Sequence, residues 1–126
     1  QDEKFVSDKS RIRVILNNLL SNAIKYQDKQ KAEQTIKISA HIDSTELKLV
    51  LDDNGIGIDK EQHSEIFDIY YRGTQLSTGT GIGLYIVKEA VDLLKGSIEL
   101  SSAIGRGTKF TITIPNLVGS EVKEDN

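Results

Sequence analysis

The sequence predicts a two-layer α/β sandwich: one sheet, covered by helices on one face and open to water on the other. Three observations carry that expectation. Helical and strand-like runs alternate along the chain, every strand-like run alternates apolar with polar residues, and no strand is apolar throughout. A doubly wound sheet buries both faces and would show continuous apolar strands instead.

The elements follow in order. Asp8 ahead of Ile12, Ile15, Leu16, Leu19 and Ala23 marks an N-cap and an amphipathic helix that ends near Tyr26 and Gln27. Ile36, Ile38, Ala40 and Ile42 alternate with Thr35, Lys37, Ser39 and His41, and Leu47, Leu49 and Leu51 repeat the pattern after a turn at Asp43, Ser44 and Thr45. These are two strands with one wet face each. A short helix is expected over Lys60 to Tyr70 and a longer one from Gly81 to about Lys95, with Gly96 placed to stop it. Ile98 and Leu100, then Thr108, Phe110, Ile112 and Ile114, supply two more strands, joined through Gly105, Arg106 and Gly107 and closed by Pro115. Residues 1–116 read as one domain and 117–126 as a polar, acidic tail.

Composition narrows the function classes. A chain of 126 residues, 37% of them hydrophobic, is one domain, and at this size roughly two thirds of the unfolded surface is buried on folding. The absence of Cys excludes disulfides, thiolate metal sites and cysteine nucleophiles, and fits a reducing compartment. No apolar run approaches the ~18 residues of a membrane span, and no secretory signal pattern opens the chain. With a net charge of −3 and basic residues scattered among acidic ones, there is no electrostatic footprint for nucleic acid or an anionic bilayer.

The first helix carries an unusual polar stripe. At about 100° per residue, Asn18, Asn22 and Lys25 share one narrow face, with Tyr26 at its margin. A stripe that only met solvent would be served as well by Glu, Lys or Gln, which are better helix formers than Asn. An Asn carbonyl oxygen is a hard, neutral ligand suited to Mg²⁺, an ion that takes most of its negative charge from a nucleotide's phosphates.

Parity separates two neighbouring aspartates. Counting by twos from Leu47, Leu49 and Leu51 lands on Asp53, whose carboxylate is therefore aimed at the helix-covered side, while Asp52 points the other way. A carboxylate aimed inward needs a donor. Asp53 either caps the following glycine turn or receives a ligand. Gly55 and Gly57 allow a tight turn and a close backbone approach. Gly79, Gly81 and Gly83 precede a helix whose N-terminal amides suit a phosphate chain. No Lys-Ser or Lys-Thr follows the last glycine, so this is not a Walker A loop, and the spacing is not that of a dinucleotide fingerprint.

Four blocks in fixed order, Asn18 to Tyr26, Asp53 to Gly57, Phe67, and Gly79 to Leu84, resemble the N, G1, F and G2 boxes of the ATP-binding catalytic domain of sensor histidine kinases. The wider superfamily includes gyrase, the heat-shock chaperones and MutL, and the resemblance runs from about Phe5 to Pro115. It implies the Bergerat ATP-binding fold, a mixed sheet of about five strands with about three helices on one face. It also implies ATP and Mg²⁺ as cofactors, with Asn22 reaching the phosphates through Mg²⁺, Lys25 at a phosphate oxygen and Tyr26 on the adenine side. By the same resemblance Asp53 accepts a hydrogen bond from the exocyclic amine of adenine, and Thr108 lies near that edge. Guanine would bring an acceptor there, so GTP is expected to be rejected. Gly55, Gly57, Ile58, Gly79, Thr80, Gly81, Gly83 and Leu84 count as nucleotide-binding. The polar stretch from Tyr70 to Thr78 resembles the family's mobile lid, with Phe67 as its anchor and Arg72 as a phosphate contact.

Asn18 bears on what the cleft does with ATP. In the hydrolysing relatives a Glu one helical turn before the Mg²⁺ ligand acts as general base; an amide cannot take a proton at neutral pH, so efficient hydrolysis is disfavoured. A histidine acceptor is its own nucleophile, and transfer then relies on positioning and on charge stabilisation, for which Asn18 and Lys25 are the catalytic candidates. Neither His41 nor His63 sits in the His-Glu or His-Asp helical context of the family's phosphoacceptor. The expectation is an excised catalytic domain, monomeric and without direct membrane contact, that does not label itself. It would serve a dimerising phosphoacceptor hairpin and, downstream, a response regulator, in the cytoplasm beneath a membrane-anchored parent. The alternatives are a hydrolase or anti-sigma-factor serine kinase on the same fold, and a non-catalytic nucleotide-sensing module.

Overall fold

The computed structural model describes residues 9–68 and 83–116. Helix α1 (Lys9–Lys25) is followed by strands β1 (Ile36–Ile42) and β2 (Glu46–Asp53), a 3₁₀ turn at Lys60–Gln62, helix α2 (Gly83–Leu93), and strands β3 (Ser97–Ala103) and β4 (Gly107–Pro115). The strands form one sheet in the order β1-β2-β4-β3, each neighbour antiparallel. Helices α1 and α2 pack on each other and over one face of that sheet. This is the two-layer sandwich the alternating strands predict. Among the described residues the sheet has four antiparallel strands rather than a mixed set of about five, and two α-helices cover it rather than about three.

Register explains the core. Leu51 stands opposite Ile38 on one side and Phe110 on the other, so the even-numbered apolar residues of β4 share a face with Leu47, Leu49 and Leu51. Onto it α1 lays Ile15, Leu19 and Ala23, one residue per turn, and α2 lays Leu84, Val87, Ala90 and Val91. Each fully buried aliphatic side chain is worth about 1.5–3 kcal/mol, so this shared layer outweighs any intrinsic helix preference.

Three local expectations change. Strand β1 buries none of its alternating face: Ile36 is half-buried, and Ile38 and Ile42 remain 51% and 37% exposed. As the edge strand it has no outer neighbour among the described residues, and the helices make their main contacts with β2 and, at the opposite edge, β3. The segment read as a helix from Lys60 to Tyr70 is instead one 3₁₀ turn followed by successive turns, as far as it is described. Its backbone bonds run from residue i to i−3, at Gln62, His63, Glu65 and Asp68. That path carries Ile66 into the core and sets Phe67 edge-on to Phe110, with ring centroids 6.3 Å apart. At the end of α2, Lys95 rather than glycine adopts the left-handed conformation (φ 62°), and the Gly96 N–H bonds Val91 O at 2.9 Å. Gly96 serves a different need, because a Cβ there would lie 2.4 Å from Thr113 O of β4.

Candidate functional site

A cleft opens between α1, the loop after β2, the start of α2 and the turn joining β3 to β4. It gathers Asn18, Asn22, Lys25, Tyr26, Asp53, Gly57, Ile58, Gly83, Leu84 and Thr108, all of them singled out from the sequence. Gly55 is buried behind the wall rather than lining it. Arg72, Gly79, Thr80 and Gly81, with Asp8, the lid stretch and the tail, lie outside the described residues.

Asp53 ends β2 on the helix-facing side, half-buried, while Asp52 is exposed. Its Oδ1 accepts the Gly55 N–H at 2.8 Å and the Thr108 N–H at 3.3 Å. The turn cap and the inward-facing carboxylate are thus one arrangement, because both bonds fall on Oδ1 and no described residue bonds Oδ2. Burial lifts this carboxyl above its ordinary value; the two amides pull it part of the way back, Asp52 adds to the rise and Lys31 opposes it.

The backbone around Asp53 is packed too closely for side chains. A Cβ on Gly55 would lie 2.5 Å from Tyr26 O, and one on Gly57, at φ 81°, would lie 2.0 Å from Ala103 O. The glycines of this block therefore seat the loop against the end of α1 and against the β3–β4 turn. Ile56 N–H bonds Tyr26 O at 3.0 Å and Gly105 N–H bonds Ile56 O at 2.9 Å, completing the seam.

Along α1 the stripe is differently provided. Asn18 Nδ2 donates to Val14 O one turn back at 2.8 Å, and its Oδ1 faces the start of α2, 3.4 Å from where a Gly83 Cβ would stand. No described residue bonds the side chains of Asn22 or Lys25. The described residues hold no group of three or more His, Asp or Glu side chains able to bind a metal by themselves. An ion here would have to bring most of its ligands with it, as Mg²⁺ on a polyphosphate does.

Residues 7–117 match the family described as histidine kinase-, DNA gyrase B-, and HSP90-like ATPase. The chain belongs to this family. Over 120 residues the ATPase domain is 35% identical to the autoinducer 2 sensor kinase/phosphatase LuxQ of Vibrio vulnificus, a match covering 90% of this chain and 14% of LuxQ. Over 112 residues it is 40% identical to the sensor histidine kinase YvrG of Bacillus subtilis, covering 86% of this chain and 19% of YvrG. The solved structure of the mycobacterial sensor histidine kinase MprB matches with a TM-score of 0.75 at 26% identity, over 88% of this chain and 76% of that one. The chain spans less than a fifth of these two curated relatives, and it is an ATP-binding catalytic domain of the sensor-kinase type.

The cleft also holds residues whose own roles no motif or periodicity of the sequence marks. Ser21, Ile56, Asp59, Gln62 and Ile104 also line it, and Ile104 is 66% exposed at the tip of the β3–β4 turn. Behind the wall, Lys31 Nζ donates to Asn54 O at 2.8 Å and Gly105 O at 2.9 Å, stapling the loop to that turn. Ser102 Oγ ties Ile58, Gly107 and Thr108 together. Ser102 had one legible mark, a small polar residue in a strand position whose neighbours Ile98 and Leu100 are apolar. Lys31 had none. No described helix is long and apolar enough to cross a membrane.

Proposed function

We propose that this ATPase domain binds Mg-ATP and passes the γ-phosphoryl group to a histidine on a separate phosphoacceptor hairpin of its parent kinase. The observation that carries the proposal is the two-ended cleft, with an inward carboxylate, Asp53, at one end and, at the other, Asn22 and Lys25, whose side chains no described residue bonds. Asp53 Oδ2 accepts a hydrogen from the adenine amine, and Thr108 lies beside it. Asn22 offers one neutral oxygen to Mg²⁺, and Lys25, exposed in the last turn of α1, meets a phosphate oxygen. Gly55, Gly57 and Ile58 shape the base end, and Gly83 and Leu84 the start of α2. Arg72, Gly79, Thr80 and Gly81 are assigned to the phosphate end on sequence alone. Bound Mg²⁺ supplies charge neutralisation on the phosphates.

In the transfer, an imidazole nitrogen of the acceptor attacks the γ-phosphorus, the bond to the β–γ bridging oxygen breaks, and ADP leaves. Asn18, held by Val14 O, is an amide and takes no proton, so water is poorly activated and transfer to histidine is favoured over hydrolysis. His63 Nε2 lies 3.1 Å from Ile58 O, and His41 is exposed on the outer strand, 4.0 Å from Asp43; neither is the acceptor, and the monomeric, cytoplasmic domain alone does not label itself. A response regulator takes the phosphoryl group from the hairpin.

The test mixes γ-labelled ATP, Mg²⁺, this chain and a matching acceptor hairpin. Acid-labile, base-stable phosphate on the hairpin is expected. Label on serine, or phosphate release by the chain alone at the rate of transfer, would overturn the assignment in favour of the serine-kinase or hydrolase branch. Nucleotide binding without transfer would favour a sensing module.

A further inference from the structure

We propose that Ser102 is a positioning residue that fixes the Thr108 hydroxyl as an acceptor toward the bound base, and thereby sets the preference for a 6-amino over a 6-oxo purine. The inference rests on the ATP-binding reading above and deepens it. Ser102 stands opposite Thr108 in the β3–β4 register, and it does not line the cleft.

The reasoning is a proton count. Ser102 Oγ donates to the Gly107 carbonyl oxygen at 2.8 Å, an atom that can only accept. The same Oγ accepts the Ile58 N–H at 2.8 Å. A serine hydroxyl has one hydrogen and two lone pairs. Its third contact, 2.9 Å to Thr108 Oγ1, therefore uses the hydrogen of Thr108. Thr108 Oγ1 is left with lone pairs alone, and Thr108 lines the cleft. Beside it stands Asp53, whose Oδ1 takes the Thr108 N–H and whose Oδ2 is a second acceptor. The two side chains at this edge, Asp53 and Thr108, thus both present acceptors. They suit the hydrogens of an exocyclic amine and oppose a carbonyl, whose lone pairs would meet theirs. Without the Ser102 hydroxyl, Thr108 is free to turn its hydrogen into the cleft and donate.

The experiment titrates the whole 126-residue chain with ADP and with inosine diphosphate, each with Mg²⁺, in a calorimeter. Wild type prefers ADP. Ser102→Ala lowers the ratio of the two affinities about tenfold, the worth of one hydrogen bond gained by the 6-oxo base. Ser102→Thr keeps the hydroxyl and holds the ratio within about twofold of wild type. In a Thr108→Val background, Ser102→Ala no longer changes the ratio. Should loss of the Ile58 acceptor unfold Ser102→Ala, Ser102→Cys carries the same expectation at smaller amplitude. A Ser102 that merely supports the strand pair would weaken both ligands alike, and an unchanged ratio in a folded variant would overturn the proposal. Wild-type chain that binds neither nucleotide would bring down the ATP-binding reading itself, and this inference with it.

Discussion

The two ends of the cleft are built on opposite plans. At the base end nearly every polar atom already has a partner: Asp53 Oδ1 takes two amides, Lys31 bridges two carbonyls, Ser102 makes three bonds, and Gly57 and Gly107 bring backbones together where no Cβ fits. On α1, Asn22 and Lys25 have no described partner, and among the described residues Asn18 bonds only its own helix. Preorganised acceptors reject a wrong base because they cannot rearrange for it. Unpartnered side chains on a rigid helix can instead complete themselves on whatever charge and metal a phosphate chain brings. On the proposed reading, selectivity rests on loops locked by cross-bonds and charge handling on a single helix.

The largest expected effect strikes the locked end. Gly107→Ala puts a Cβ 2.0 Å from Asp53 O at a φ of 102°, and urea unfolding should show a loss of about 3 kcal/mol or more. A variant as stable as wild type would mean that this end is soft, and the contrast would fail.

Next comes Asp53→Asn. Loss of a charged acceptor should weaken ADP about a hundredfold by calorimetry, whereas Asp52→Asn, on the wet face, should leave affinity within about twofold. Burial holds the folded Asp53 carboxyl above its unfolded value, so the folded state binds that proton more tightly and the stability associated with it is lost as pH rises through the window between the two values. Asp53→Asn should therefore unfold no more easily than wild type at neutral pH while binding nucleotide far worse. In wild type, ADP affinity should fall on acidification at a pH above the ordinary Asp value, and an acid limb at or below that value would contradict the buried carboxylate.

Smaller effects sharpen the contrast. Lys31→Met strips a donor from Asn54 O and Gly105 O and should cost about 1–2 kcal/mol in chemical denaturation. Asn22→Ala should change stability by no more than about 0.5 kcal/mol yet lower affinity for Mg-ATP about tenfold, with little change when Mg²⁺ is removed. Equal losses with and without the ion would take Asn22 away from the metal.

Much of this was legible because it is local. The stripe of Asn18, Asn22 and Lys25 needs only the helical repeat, and the opposite aims of Asp52 and Asp53 need only the period of a strand. Residues from three of the four blocks line the cleft, whereas Phe67 packs on Phe110 in the core. What was missed is non-local: Asp53 meets Thr108 across 55 residues and Lys31 meets Gly105 across 74, and neither pairing has a repeat in the sequence to announce it. The apolar alternation of β1 was read correctly as a strand and wrongly as a buried face, because an edge position is a property of the sheet and not of the segment. Lys95 shows the same limit, since the helix end is turned by a lysine while Gly96 yields to the approach of β4.

By itself, then, the order of residues determined the layers, the face each strand offers and which side chains share a helix stripe, since these follow from short periods and steric rules that act within a few residues. Only the tertiary structure decided which atoms remain unpaired in the cleft. That depends on where distant carbonyls and hydroxyls come to rest when the shared apolar layer closes, and a hydroxyl such as that of Thr108 takes its direction from a neighbour fixed by the fold.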